Sequence, residues 1–254
     1  MMPNSITFIG NGKMALALAK GLCETHTIEV IGRNKTTMEQ FETSLGKPIT
    51  KTFYQDANIS HKKVIICVKP SNLAEIAPLL KGKADILYSV LAGTTLEALT
   101  SIEAHHYCRA MPNLAAEAGA SMTSLVGDDT ISANAITLFG TIGNTLWLGS
   151  EKELDIATAL AGSGPAYLAL IAEALCDGAV REGLKRDDAM VLMRGLFEGF
   201  AKLIQTTHPA ILKDNVMSPG GTTAAGYGAL EKGNVREGCM EAIHAAYNRA
   251  KGMK

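Results

Sequence analysis

Between residues 63 and 68 the chain reads Lys-Val-Ile-Ile-Cys-Val, β-branched and almost wholly apolar, with no alternation. A strand with one wet face alternates apolar and polar side chains. A run that is apolar on both sides belongs to a strand covered on both faces, as in a parallel sheet sandwiched by helices. The flanking sequence fits that frame. Short apolar runs at Ser5–Ile9, 29–32, 86–90 and 106–109 predict strands, with weaker candidates at 122–125 and 145–148. Helical spacing fills the intervals at 13–24, where Met14, Leu18, Gly21 and Leu22 share a side, and at 37–45 and 73–80. Strands separated by helices of about ten residues predict a doubly wound α/β sheet.

After Gly149 the β-branched clusters thin out. Ser150 is placed to cap a helix with Glu153 at the capping-box position, and helical patterns follow at 154–160, 166–184, 187–204, 222–230 and 235–249. Asp187 reads as a further cap, and Arg249 and Lys251 suit the negative end of the last helix. The 254 residues therefore divide into a Rossmann-type domain at 1–149 and an all-helical domain at 150–254.

Composition narrows the function. A formal net charge of −1 and no long basic run argue against nucleic acid or an acidic membrane as partner. The uncharged stretch 156–172 is broken at Gly162-Ser163-Gly164-Pro165, so each half is too short to span a bilayer and reads as buried helix interrupted by a turn. Five dispersed cysteines and six histidines without metal-ligand spacing argue against a disulfide framework and against a metal site. No signal-peptide pattern is read before the first strand, so a cytoplasmic location is the expectation.

Between the first strand and helix lies Gly10-Asn11-Gly12-Lys13-Met14-Ala15. In this context the first glycine permits a tight turn and the second lets backbone approach a pyrophosphate. Ala15 lets the helix pack against the sheet. At the end of the second strand, where NAD sites place an acidic residue, the chain has Gly32-Arg33-Asn34. Arg33 offers a planar fork matched to a 2′-phosphate and Asn34 a further donor, so NADPH is the expected cofactor and NADH a weaker one. The competing reading of Arg33 is a solvated surface arginine. Far along the chain, Ser218-Pro219-Gly220-Gly221-Thr222-Thr223 opens another helix with an uncharged turn rich in small donors. That turn is a cradle for a small anion or a flexible, threonine-capped loop.

Taken together, the chain resembles Δ1-pyrroline-5-carboxylate reductases. The resemblance is carried by Gly10–Ala15, Val68-Lys69-Pro70, Ala92-Gly93, Arg109-Ala110-Met111-Pro112-Asn113, Gly162-Ser163-Gly164-Pro165-Ala166 and the turn at 218–223. It implies NADPH-dependent reduction of a cyclic imino acid to proline, with Gly10, Asn11, Gly12, Lys13, Met14, Arg33 and Asn34 on the phosphates. It further implies Val68, Lys69, Pro70, Ala92, Gly93 and Asn113 along the nicotinamide half. By the same resemblance the backbone of Gly220, Gly221, Thr222 and Thr223 grips the substrate carboxylate, with Asn215 and Ser218 beside it, and Thr223 acts at the ring nitrogen. Two departures stand out: Lys13 where relatives often carry Asn, and Leu114-Ala115 where Thr-Pro is usual.

Two rival readings stand against this one, and the first falls for want of its base. A β-hydroxyacid dehydrogenase needs a lysine after Gly162-Ser163-Gly164-Pro165, where this chain has Ala166-Tyr167-Leu168-Ala169-Leu170-Ile171. A non-catalytic NADP-binding sensor would need only the first glycine turn. The helical half carries more apolar surface than one thin layer needs, which predicts at least a homodimer; the resemblance implies further assembly.

Overall fold

A computed structural model describes residues 5–252. One eight-stranded sheet, in the order β3-β2-β1-β4-β5-β6-β7-β8, forms the centre of the first part of the chain. Its strands are β1 (Ser5–Ile9), β2 (Thr27–Gly32), β3 (Thr50–Phe53), β4 (Lys63–Ile66), β5 (Ala84–Ser89), β6 (Ala104–Met111), β7 (Ser121–Gly127) and β8 (Gly143–Trp147). The first six run parallel; β7 pairs antiparallel with β6 and parallel with β8. The reversal at β7 follows from chain length. The loop after Met111 is one short 3-10 turn, Leu114–Ala118, and a parallel return needs a crossover of about a dozen residues or more.

The two-faced burial expected of 63–68 is present, though the strand ends at Ile66. Val64 and Ile66 enter one core layer with Ile9, Ile31, Leu73, Ile76 and Leu87, and Ile65 enters the other with Ile6, Phe8, Val30 and Tyr88. Helix α1 (Lys13–Leu22) buries Ala15, Leu18, Ala19 and Leu22, the i, i+3, i+4, i+7 positions of one stripe. Met14 lies at the edge of that stripe, and Gly21 is where the helix meets Ile142 too closely for a side chain. Helix α2 (Lys35–Leu45) starts two residues before its expected place because Asn34 Oδ1 accepts from the Thr37 amide at 3.3 Å. The expected helix at 73–80 is the short α3 (Leu73–Ile76) followed by a 3-10 turn at Ala77–Leu79, with Pro78 inside that turn. Strand β3 and helices α4 (Leu96–Leu99) and α5 (Ser132–Phe139) complete this part.

The remaining elements are helical: α6 (Glu151–Ala157), α7 (Gly164–Arg181), α8 (Arg186–Leu203), α9 (Pro209–Val216), α10 (Thr222–Lys232) and α11 (Val235–Lys251). Ser150 caps α6 as expected, accepting from the Glu153 amide at 3.3 Å, while Glu153 Oε2 accepts from the Gly149 amide at 2.9 Å. Asp187 is not the cap of α8: Lys185 holds that position without a side-chain bond, and Asp187 and Asp188 fall in the first turn. There their charge still faces the positive helix end.

The turn expected to break 156–172 does not break it. A π-helical segment at Thr158–Gly162 carries the chain from α6 into α7, so helix runs across Glu151–Arg181, 31 residues long and apolar enough by length and composition to cross a membrane. Pro165 is tolerated there because Ala161 O, the carbonyl its missing amide would have bonded, accepts instead from Asn113 Nδ2 at 3.0 Å. The chain forms two compact units. One runs to Pro165 and takes in the chain again from Ala245; the other is Ala166–His244.

Candidate active site

Gly10 takes φ +100°, a left-handed conformation open to glycine, and a Cβ there would meet the Cys67 carbonyl oxygen at 2.9 Å. The chain can therefore turn from β1 into α1 directly over the end of β4. Gly12 is the N-cap of α1 and makes no side-chain cap. The first backbone bond of the helix is Leu16 N–H to Gly12 O at 3.0 Å, which leaves the amides of Lys13, Met14 and Ala15 without an in-helix acceptor. A Cβ built on Gly12 meets nothing within 4 Å. Three amides, a helix dipole and open space above them fit a pyrophosphate. Asn11 Nδ2 donates to Thr37 Oγ1 at 2.9 Å and ties this turn to α2.

A cleft of about 280 Å³ lies at this turn, lined by Gly10, Asn11, Gly12, Arg33, Asn34, Val68 and Lys69 among the expected cofactor residues. The sequence reading missed Thr37, Tyr54, Cys67, Asn72 and Ile76 in the same lining. Tyr54 and Cys67 carried a weak signal, since each directly follows a strand that ends at this edge of the sheet. Burial pushes the Cys67 thiol upward, so it lines the cleft as a neutral, unreactive group. The Arg33 guanidinium is exposed and pairs with Glu75, Nη1 to Oε1 at 3.0 Å. Asn34 spends Oδ1 on capping α2, so its amide nitrogen is the end suited to a phosphate.

Pro70 and Gly93 line a second, larger cleft of about 760 Å³ together with Thr94, Thr95 and Arg249. Lys13, Met14, Ala92 and Asn113 line neither cleft. Lys13 is exposed at the start of α1, and Met14 packs partly into the core. Asn113 is an anchor: Nδ2 donates to Ala161 O at 3.0 Å, and Oδ1 accepts from the Ala115 amide at 3.1 Å. That bonding holds the loop after β6 against the π-helical turn, and Leu114-Ala115 open its 3-10 turn without the proline usual there.

In the second compact unit the turn at 218–223 has the geometry of an anion cradle. Gly220 takes φ +71°, again left-handed. Gly221 caps α10 with no side-chain bond, and a Cβ there would collide with the Ser218 side chain. The first backbone bond of α10 runs from Ala225 N–H to Gly221 O at 3.2 Å, so the amides of Thr222, Thr223 and Ala224 lack in-helix acceptors. Thr223 is half-buried within this set, Ser218 is exposed at the turn's start, and Asn215 is exposed on the last turn of α9. Among the described residues no group of three or more His, Cys, Asp or Glu could hold a metal ion.

Residues 151–253 match the family model for pyrroline-5-carboxylate reductase dimerisation, and residues 5–93 match that for coenzyme F420-dependent NADP oxidoreductases. The chain is 39% identical to a pyrroline-5-carboxylate reductase of Pisum sativum, covering 97% of this chain and 95% of that one. The solved 1-pyrroline-5-carboxylate reductase of Streptococcus pyogenes superposes with a TM-score of 0.86 at 31% identity over 98% of both chains. A Plasmodium falciparum pyrroline carboxylate reductase with NADP bound gives a TM-score of 0.80 at 26% identity over 100% of this chain and 99% of that one.

Proposed function

We infer, from full-length membership in the pyrroline-5-carboxylate reductase family, to which this chain belongs, that it is an oxidoreductase reducing Δ1-pyrroline-5-carboxylate to L-proline with NADPH. NADPH, when bound, supplies the hydride. Support for the residue roles comes from one observation above all. The same chain carries two glycine turns that each open a helix with uncapped amides, at Gly12 and at Gly221.

The first turn takes the cofactor. Gly10, Asn11, Gly12, Lys13 and Met14 receive the pyrophosphate, Arg33 and Asn34 the 2′-phosphate, and the loops bearing Val68, Lys69, Pro70, Ala92 and Gly93 the nicotinamide half. Asn113 serves by fixing its loop through Ala161. The second turn takes the substrate. The Gly220-Gly221 turn brings the amides of Thr222 and Thr223 to the carboxylate, while the Gly221 amide closes the turn onto Ser218 O at 3.0 Å; Asn215 and Ser218 flank the carboxylate, and the Thr223 hydroxyl bonds the ring nitrogen. A protonated ring imine is already electrophilic, so hydride addition at its carbon gives the secondary amine directly and leaves positioning as the protein's main task. The functional division follows composition, with 1–149 binding NADP and 150–254 binding substrate and self-associating. We place the enzyme in the cytoplasm as a homodimer that assembles further, with neither nucleic acid nor membrane as partner.

Thr223→Val keeps the shape and removes the hydroxyl. It should lower kcat by about tenfold or more, the effect of losing one hydrogen bond to a charged group, and leave the NADPH dissociation constant where it was. Unchanged turnover of pyrroline-5-carboxylate would remove Thr223 from the ring nitrogen. The same assay on the unaltered protein decides against a non-catalytic NADP sensor, which would bind NADPH without oxidising it.

A further inference from the structure

The end of β2 lacks the acidic residue that NAD sites use for the ribose hydroxyls, yet a carboxylate reaches the same place from another element. Glu75 stands on α3, 42 positions along the chain from Arg33, and its Oε1 lies 3.0 Å from Arg33 Nη1. Asn72 and Ile76, on either side of Glu75 in sequence, line the cleft that Arg33 and Asn34 also line. Both partners of the pair are 59% exposed, so it contributes little to folding. Its consequence falls on the cleft, where it fixes a guanidinium fork with one donor already engaged.

We propose that Glu75 is a specificity-determining residue that sets the balance between NADPH and NADH. The inference rests on the assignment of Arg33 to the 2′-phosphate. A dianionic 2′-phosphate approaching Arg33 meets a carboxylate already paired to the same guanidinium, and the two anions compete for its donors. A 2′-hydroxyl in that position carries no charge and can donate to the carboxylate. Glu75 thus weakens NADPH binding and supports NADH, doing from α3 what an acidic residue at the end of β2 does in NAD-specific sites. Tyr54, which lines the same cleft, lies within the field of both groups. Burial raises its phenol, Arg33 opposes that shift and Glu75 adds to it.

Steady-state kinetics with both cofactors on Glu75→Gln and Arg33→Ala tests the proposal. Glu75→Gln keeps the volume and removes the charge. The KM for NADPH should fall about threefold and that for NADH rise by a similar factor, a change of about tenfold in the ratio of the two kcat/KM values. Opposite directions for the two cofactors are a result that mere loosening of α3 does not give. Shifts in the same direction, or an unchanged ratio, overturn the role of Glu75. Arg33→Ala probes the underlying assignment separately: the KM for NADPH should rise at least about tenfold and that for NADH far less. An equal effect on both cofactors overturns the 2′-phosphate site itself. A selective effect there with an unchanged ratio in Glu75→Gln overturns only the proposal about Glu75.

Discussion

Arg109 heads the fully buried large side chains among the described residues, at 1% exposure, and it carries a charge. It stands two residues before the end of β6, and its guanidinium bonds two carboxylates of α6, Glu151 at 2.8 Å and Asp155 at 3.1 Å. Glu151 also accepts from the Leu96 amide at 2.9 Å, so the start of α4 joins the same cluster. Removing one member of a buried pair strands the other charge. Arg109→Leu should therefore destabilise the protein by about 3–5 kcal/mol, whereas the double change Arg109→Leu with Asp155→Leu should cost less than the single one. Urea unfolding of the two variants checks the order, and a double variant weaker than the single would refute it. Arg109 also shows what a sequence withholds about a site. Its place in the Arg-Ala-Met-Pro-Asn string was visible, but its partners lie 42 and 46 positions away. Gly10, Gly12 and Arg33 were readable because their demands are local, a tight turn or the end of a strand. Glu75 was not, because only the folded chain brings it to Arg33, 42 positions away.

Among the elements, the edge of the sheet shows how a polar strand is held. Glu29 on β2 accepts from Thr7 of β1 at 2.7 Å, from Thr52 of β3 at 2.8 Å and from Lys62 at 2.7 Å. Burial alone would raise its carboxyl, but the bonds from Lys62, Thr7 and Thr52 outweigh it and hold it below the usual range. A carboxylate with a lowered folded pKa stabilises the fold fully above its unfolded value of about 4.3, and that contribution is lost as pH falls through the folded value. Denaturation followed from neutral to acid pH should thus show a smaller loss for Glu29→Gln than for the unaltered protein. Equal losses would mean that the cluster contributes nothing to acid sensitivity. The same edge explains what the pattern concealed. Strand β3 reads Thr-Lys-Thr-Phe, and its place in the sheet comes from pairing with β2, not from apolar character. The buried strands β1, β4 and β5 advertised themselves as apolar runs. Helix α9 was hidden because Pro209 reads as a breaker, although proline fits the first turn of a helix and His208 Nδ1 caps it by accepting from the Ala210 amide. The π-helical turn at Thr158–Gly162 misled in the opposite sense, since its glycine and the nearby proline look like a stop.

At the scale of the molecule, the unit Ala166–His244 is too poorly buried to stand as an isolated chain. Of its hydrophobic residues only Cys176 and Ala189 are buried, while Leu192, Leu196, Phe200 and Leu203 form a stripe at i, i+4, i+8 and i+11 of α8 with exposures of 63%, 58%, 45% and 51%. Leu168, Ile171 and Leu175 repeat the pattern on α7 at 52%, 37% and 46%. Exposed apolar stripes of this kind mark an interface, and the dimerisation family match spans both helices. The apolar run through Glu151–Arg181 is mostly unburied in the single chain and lies within that same match. If these stripes pack between copies, the core of this unit is shared and stability depends on protein concentration. Leu196→Glu places a charge in the middle of the α8 stripe. It should convert the oligomer to smaller species by light scattering, lower Tm by about 5 °C or more, and abolish proline formation together with assembly. Ile136→Glu, at an exposed apolar position of α5 outside the dimerisation match, should change none of these. For the unaltered protein Tm should rise with concentration; a Tm independent of concentration, with Leu196→Glu still assembled, would place the interface elsewhere.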